Sequence, residues 1–118
     1  MRMKNFFYTI AVLTLAAGLS CPSKARAEYW SDNDLLTYCN AKDGTFEKGA
    51  CTGYILGIAD TLVAGGRIGD FRACITAGVN IGQLADTVTH FLTTSSSTKN
   101  GNASTSVASA LSNAFPCK

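Results

Sequence analysis

The stretch "CTGYILGIADTL", Cys51 to Leu62, decides the fold. Cys51, Tyr54, Ile55, Ile58, Ala59 and Leu62 recur at the three- and four-residue spacing of a buried helical stripe. The same stretch carries Gly53 and Gly57, each costing roughly 1 kcal/mol against alanine inside a helix. Lying four apart, the two share one face and allow another backbone to come near. Close packing inside the domain is the expected use, with contact between two copies as the alternative. The helix is expected from about Glu47 to Ala64, stopped by Gly65 and Gly66.

Three further helices surround it. "SDNDLLTYC" opens with Ser31 as N-cap, has Asp34 near the positive helix end and sets Leu35, Leu36 and Cys39 on one face. Gly44 in "AKDG" ends that helix, which should run about three turns. "VNIGQ" announces the next, with Asn80 as N-cap and Gln83 completing a capping box. Ile81, Leu84, Val88, Phe91 and Leu92 then line one side. The last helix, around Ala103 to Phe115, offers Val107, Ala110, Leu111 and Ala114, and Pro116 prevents its continuation. No stretch reads as a strand and no repeat is present. The fold class expected is all-α, a small disulfide-bonded bundle of about four helices.

The first 27 residues stand apart from that bundle. Arg2 and Lys4 precede the uncharged run "FFYTIAVLTLAAGL", and "ARA" places small residues at Ala25 and Ala27. This is the pattern of a cleaved signal peptide, with Glu28 as the first mature residue. The apolar run is short for a membrane span, which needs about 20 residues. A lipoprotein reading through Cys21 fits poorly, because Gly18 stands where an aliphatic residue is usual. The expected organisation is therefore 1–27 leader and 28–118 a single helical domain, with no membrane association after cleavage. Removing 27 of 118 residues leaves 91. Arg2, Lys4, Lys24 and Arg26 leave with the leader, so the formal charge of +2 becomes −2. The basic balance belonged to the leader, which argues against a nucleic-acid partner.

The five cysteines become four: Cys39, Cys51, Cys74 and Cys117. An even number in a short exported chain points to disulfides rather than a metal, since there is no C-x-x-C and a single histidine. Four cysteines permit three connectivities. The helix placement favours Cys39 with Cys51, across a hairpin of the first two helices, and Cys74 with Cys117, flanking the last two.

Chemistry for catalysis is sparse. His90 is the lone histidine, and Asp60 and Asp86 are single acids on separate helices, best read as surface groups. An even cysteine count leaves no free thiol for a cysteine–histidine pair. We expect no enzyme, no cofactor and no metal.

In order along the chain, "LLTYC", "CTGYILGIAD", "CITAGVNIGQLADTVTHFL" and "ALSNAFPC" resemble the Tai family, the immunity proteins of type VI secretion amidase effectors. Two departures are Thr76, where many relatives carry proline, and a proline-free loop "TTSSSTKNGN", Thr93 to Asn102. The resemblance implies a periplasmic, helical protein, often a homodimer, that binds a cognate peptidoglycan amidase and blocks its cleft without catalysing anything. It is compatible with a protruding loop as the inhibitory element. Ser95, Ser96, Ser97, Thr98, Lys99, Asn100, Gly101 and Asn102 are then the candidate partner-binding residues, rich in hydrogen-bonding groups and carrying one cation. The rival reading is a small periplasmic chaperone of the acid-stress type, which would bind many clients as apolar surface opens with pH.

Overall fold

A computed structural model describes residues 29–95 and 101–118. Residues 1–28, which include the segment expected to be a leader, and residues 96–100 lie outside the described residues. Four helices follow in chain order: α1 (Asp32–Cys39), α2 (Phe46–Val63), α3 (Ile81–Thr94) and α4 (Ala103–Ala114). Each packs against the other three, and no strand forms among the described residues. The all-α bundle expected from periodicity is what forms.

Sequence-local chemistry sets the helix starts. Ser31 and Asp34 form a reciprocal capping box on α1, as do Asn80 and Gln83 on α3. Thr45 caps α2 by accepting from the Lys48 amide at 3.3 Å. Helix α1 has eight residues, shorter than the expected three turns. Its end is closed by the Lys48 ammonium, which donates to the Cys39 carbonyl at 2.7 Å, and Gly44 then turns the chain at φ +81°.

Helix α2 ends in a Schellman motif. The Gly66 amide donates to the Thr61 carbonyl at 2.9 Å and the Gly65 amide to that of Leu62 at 3.1 Å. Gly65 takes φ +86°, and a Cβ on Gly66 would lie 2.6 Å from the Thr61 carbonyl oxygen. Both positions demand glycine.

Leu35, Cys51, Ile55, Val88, Val107 and Leu111 are fully buried at the centre. Each aliphatic side chain of that size contributes about 1.5–3 kcal/mol by leaving water. Leu84 and Leu92 join them from α3, whereas Ile81 at its first turn remains 41% exposed, outside the core expected for it. On α4 the expected Val107, Ala110 and Leu111 are buried, Ala103 and Ala108 are buried besides, and Ala114 is exposed.

Two disulfides brace the bundle in the favoured pairing, Cys39–Cys51 and Cys74–Cys117. They close loops of 12 and 43 residues, worth about 3 and about 4 kcal/mol by loss of unfolded-chain entropy. Between α2 and α3 the chain is irregular. There the Cys74 amide donates to the Phe115 carbonyl at 2.8 Å, fastening this segment beside the end of α4.

The glycines of the opening stretch behave differently from expectation. A Cβ at Gly53 or Gly57 would meet nothing within 4 Å, and both residues are exposed. They are not packing points inside the domain. Their side of α2 faces outward.

Candidate functional site

The loop proposed to engage a partner leaves α3 and enters α4, so its two roots determine how it is presented. Helix α3 runs two residues further than expected. Thr93 and Thr94 donate their hydroxyls back to the Thr89 and His90 carbonyls at 2.7 and 2.8 Å. The bonds satisfy the two hydroxyls but do not favour the helix, since such back-bonding is slightly destabilising. The connection between the helices is therefore 95–102, not 93–102. At its first root the Ser95 amide closes α3 by donating to the Phe91 carbonyl at 2.9 Å.

The second root is laced to the opposite end of the chain. Ser31 and Asn102 form an antiparallel bridge. The Asp32 amide donates to the Gly101 carbonyl at 3.0 Å, and the Ala103 amide to the Trp30 carbonyl at 3.1 Å. Beneath this lacing the Ser106 hydroxyl donates to the Asp32 carboxylate at 2.9 Å, both side chains being buried. The Asn102 side-chain oxygen caps α4 by accepting from the Ser104 amide at 2.9 Å and the Ser104 hydroxyl at 2.7 Å. Of the candidate partner-binding residues, Gly101 and Asn102 thus hold the root with the groups named, and Ser95 ends α3. Ser96, Ser97, Thr98, Lys99 and Asn100 lie outside the described residues.

An aromatic cluster sits at this root. Trp30 contacts Tyr38 and Tyr54 with ring centroids 4.8 and 5.0 Å apart, tilted at 42° and 31°. Burial pushes the Tyr54 phenol above its ordinary value of 10.0, with the neighbouring Ser104 side chain opposing the rise and the Asp32 charge adding to it. Sequence reasoning passed over Trp30 and Ser106. The available signal was a tryptophan directly preceding the N-cap Ser31, which marks an anchored helix entrance.

A second surface runs along α2. Phe46 is 80% exposed, Val63 59% and Leu56 37%, and Gly49, Gly53 and Gly57 lie among them with nothing near their Cβ positions. Asp60 is the acid on this stripe. The buried stripe of α2 is Cys51, Ile55, Ile58, Ala59 and Leu62, on the opposite side. Here the outer side stands open.

No group of three or more His, Cys, Asp or Glu among the described residues could hold a metal. His90 and Asp86 are exposed, with Asp86 at the solvent side of α3. No helix of the described residues is long and apolar enough to cross a membrane.

The family of Rap1a immunity proteins matches residues 31–117, which spans all four helices and both disulfides. The chain belongs to that family. No curated protein matches it. The immunity class expected from the sequence is met in a family related to Tai rather than under that name. Membership in Rap1a implies an inhibitor that binds a cognate effector rather than a catalyst.

Proposed function

We propose that this Rap1a immunity protein acts in the periplasm, where it binds a cognate type VI secretion amidase and occludes the cleft that receives peptidoglycan stem peptides. The observation that carries the reading is the family match across 31–117. The lacing of 101–103 to 30–32 supports it physically. A polar loop loses conformational entropy when it enters a cleft, and a fixed root reduces how much is lost at binding. The serines, Thr98 and Asn100 suit a cleft built for a polar polymer, and Lys99 suits an acidic rim. The leader-like segment 1–27 supports export.

The protein acts as a homodimer in this reading, and the outward side of α2 is the surface that supports it. A two-fold axis between Gly53 and Gly57 would set each glycine against the other copy's counterpart. Phe46 would then lie against the Ala64 end of the second helix, and the two Asp60 side chains would stand apart. Such self-complementarity is what an isologous contact requires.

Producing the exported amidase together with this protein in the periplasm should preserve growth, and omitting residues 1–27 should abolish protection. Replacing Ser96 to Asn100 with glycine–serine of equal length should weaken protection while leaving helical content unchanged. Full protection by the leaderless or the loop-replaced chain would contradict the localisation or the loop, respectively.

A further inference from the structure

The two disulfides occupy opposite environments. Cys39 and Cys51 are 3% and 1% exposed, enclosed between α1 and α2. Cys74 and Cys117 are both exposed, at the edge of an open groove of about 330 Å³ lined also by Leu62, Val63, Arg72 and Ile75. We propose that Cys74–Cys117 is a thiol–disulfide exchange site open to a dithiol reductant, whereas Cys39–Cys51 is a permanent brace.

Exchange requires a thiolate to approach one sulfur in line with the bond it breaks. Cys74 and Cys117 are both exposed in the folded protein, and the groove they line gives the incoming dithiol a place to lodge. Arg72 lines the same groove as both cysteines, and its positive charge favours a thiolate there. At Cys39–Cys51 the sulfurs lie within the core, so attack must wait for α1 and α2 to separate. Opening of core helices is a rare excursion approaching global unfolding.

The reaction balances within the two partners. The dithiol's first thiolate attacks one cysteine sulfur, forming a mixed disulfide and releasing the other cysteine as a thiolate. Its second thiolate then displaces the first cysteine. Two electrons and two protons pass to Cys74 and Cys117, and the dithiol departs as a disulfide.

The fold is expected to survive reduction, because the Cys74 amide bond to the Phe115 carbonyl and the buried Ala73 also hold this segment, and Cys39–Cys51 still braces the core. What is released is the tether between the α2–α3 segment and residues following Pro116. The site therefore has an oxidised and a reduced form of one folded domain.

Brief treatment of the oxidised, folded protein with dithiothreitol, followed by N-ethylmaleimide and peptide mapping, tests this. Cys74 and Cys117 should acquire label together at least about 100-fold faster than Cys39 and Cys51, because the second pair is reached only when the core opens. Far-ultraviolet circular dichroism should stay unchanged while the first pair is reduced. The Cys74→Ser/Cys117→Ser variant should lose the fast phase and retain the slow one. Equal labelling of both pairs, earlier labelling of Cys39 and Cys51, no labelling of Cys74, or helix loss in step with the fast phase would each overturn the proposal.

Discussion

At the scale of single residues, ionisable groups near the loop root tie stability to pH in opposite directions. The Ser31 hydroxyl and amide both donate to the Asp34 carboxylate, at 2.7 and 3.0 Å, and hold it below its ordinary value of 3.8. A depressed carboxyl contributes stability above its unfolded value, and that contribution disappears as pH falls through the lower folded value. Asp34 therefore weakens the α1 cap only in strong acid. Tyr54 has the reverse dependence. Its phenol is raised, so the folded state resists ionisation and stability declines as pH climbs above 10.0. Tyr54→Phe removes the titrating group and should flatten the fall in thermal midpoint between pH 9 and pH 11, relative to the parent protein. An equally steep fall in the variant would place the alkaline-sensitive group elsewhere.

At the scale of elements, α2 contains glycines with opposite roles. Gly65 and Gly66 make the Schellman stop, so Gly65→Ala should destabilise the protein by about 1 kcal/mol because φ +86° is strained for an L side chain. Gly57→Ala should stabilise an isolated protomer by up to about 1 kcal/mol, since its Cβ enters open space and alanine is the better helix former. If α2 is the contact between copies, that same substitution must also weaken self-association, readable by sedimentation alongside the melt. These contrasts also show what the sequence could convey. Capping boxes at Ser31–Asp34 and Asn80–Gln83 involve residues three apart, so local pattern was sufficient to place both helix starts. Helix placement favoured one of the three cysteine pairings without excluding the other two, and the structure has the favoured one. The role of Gly53 and Gly57 did not follow from local pattern, because they lie off the buried stripe of Cys51, Ile55, Ile58, Ala59 and Leu62, and the spacing of two glycines does not say whether a neighbour covers them. Nor did the loop root. The Ser106–Asp32 bond joins residues 74 apart in the chain, and Thr93 and Thr94 are helical despite weak helix propensity.

At the scale of the whole molecule, the account is of a braced scaffold that presents one anchored loop and one smooth helix. The bundle is small enough that its core alone gives modest stability, and the disulfides supply a substantial share. The buried Cys39–Cys51 bridge joins the first two helices, and the Cys74–Cys117 bridge encloses the last two. Loop and α2 surface then divide the labour proposed here, one for the effector and one for a second copy. The most direct test is the turnover of a purified peptidoglycan stem peptide by the cognate amidase as this protein is titrated in. The account predicts that turnover falls to background once the immunity protein equals the enzyme in binding sites. Undiminished turnover at saturating, correctly oxidised protein would contradict it.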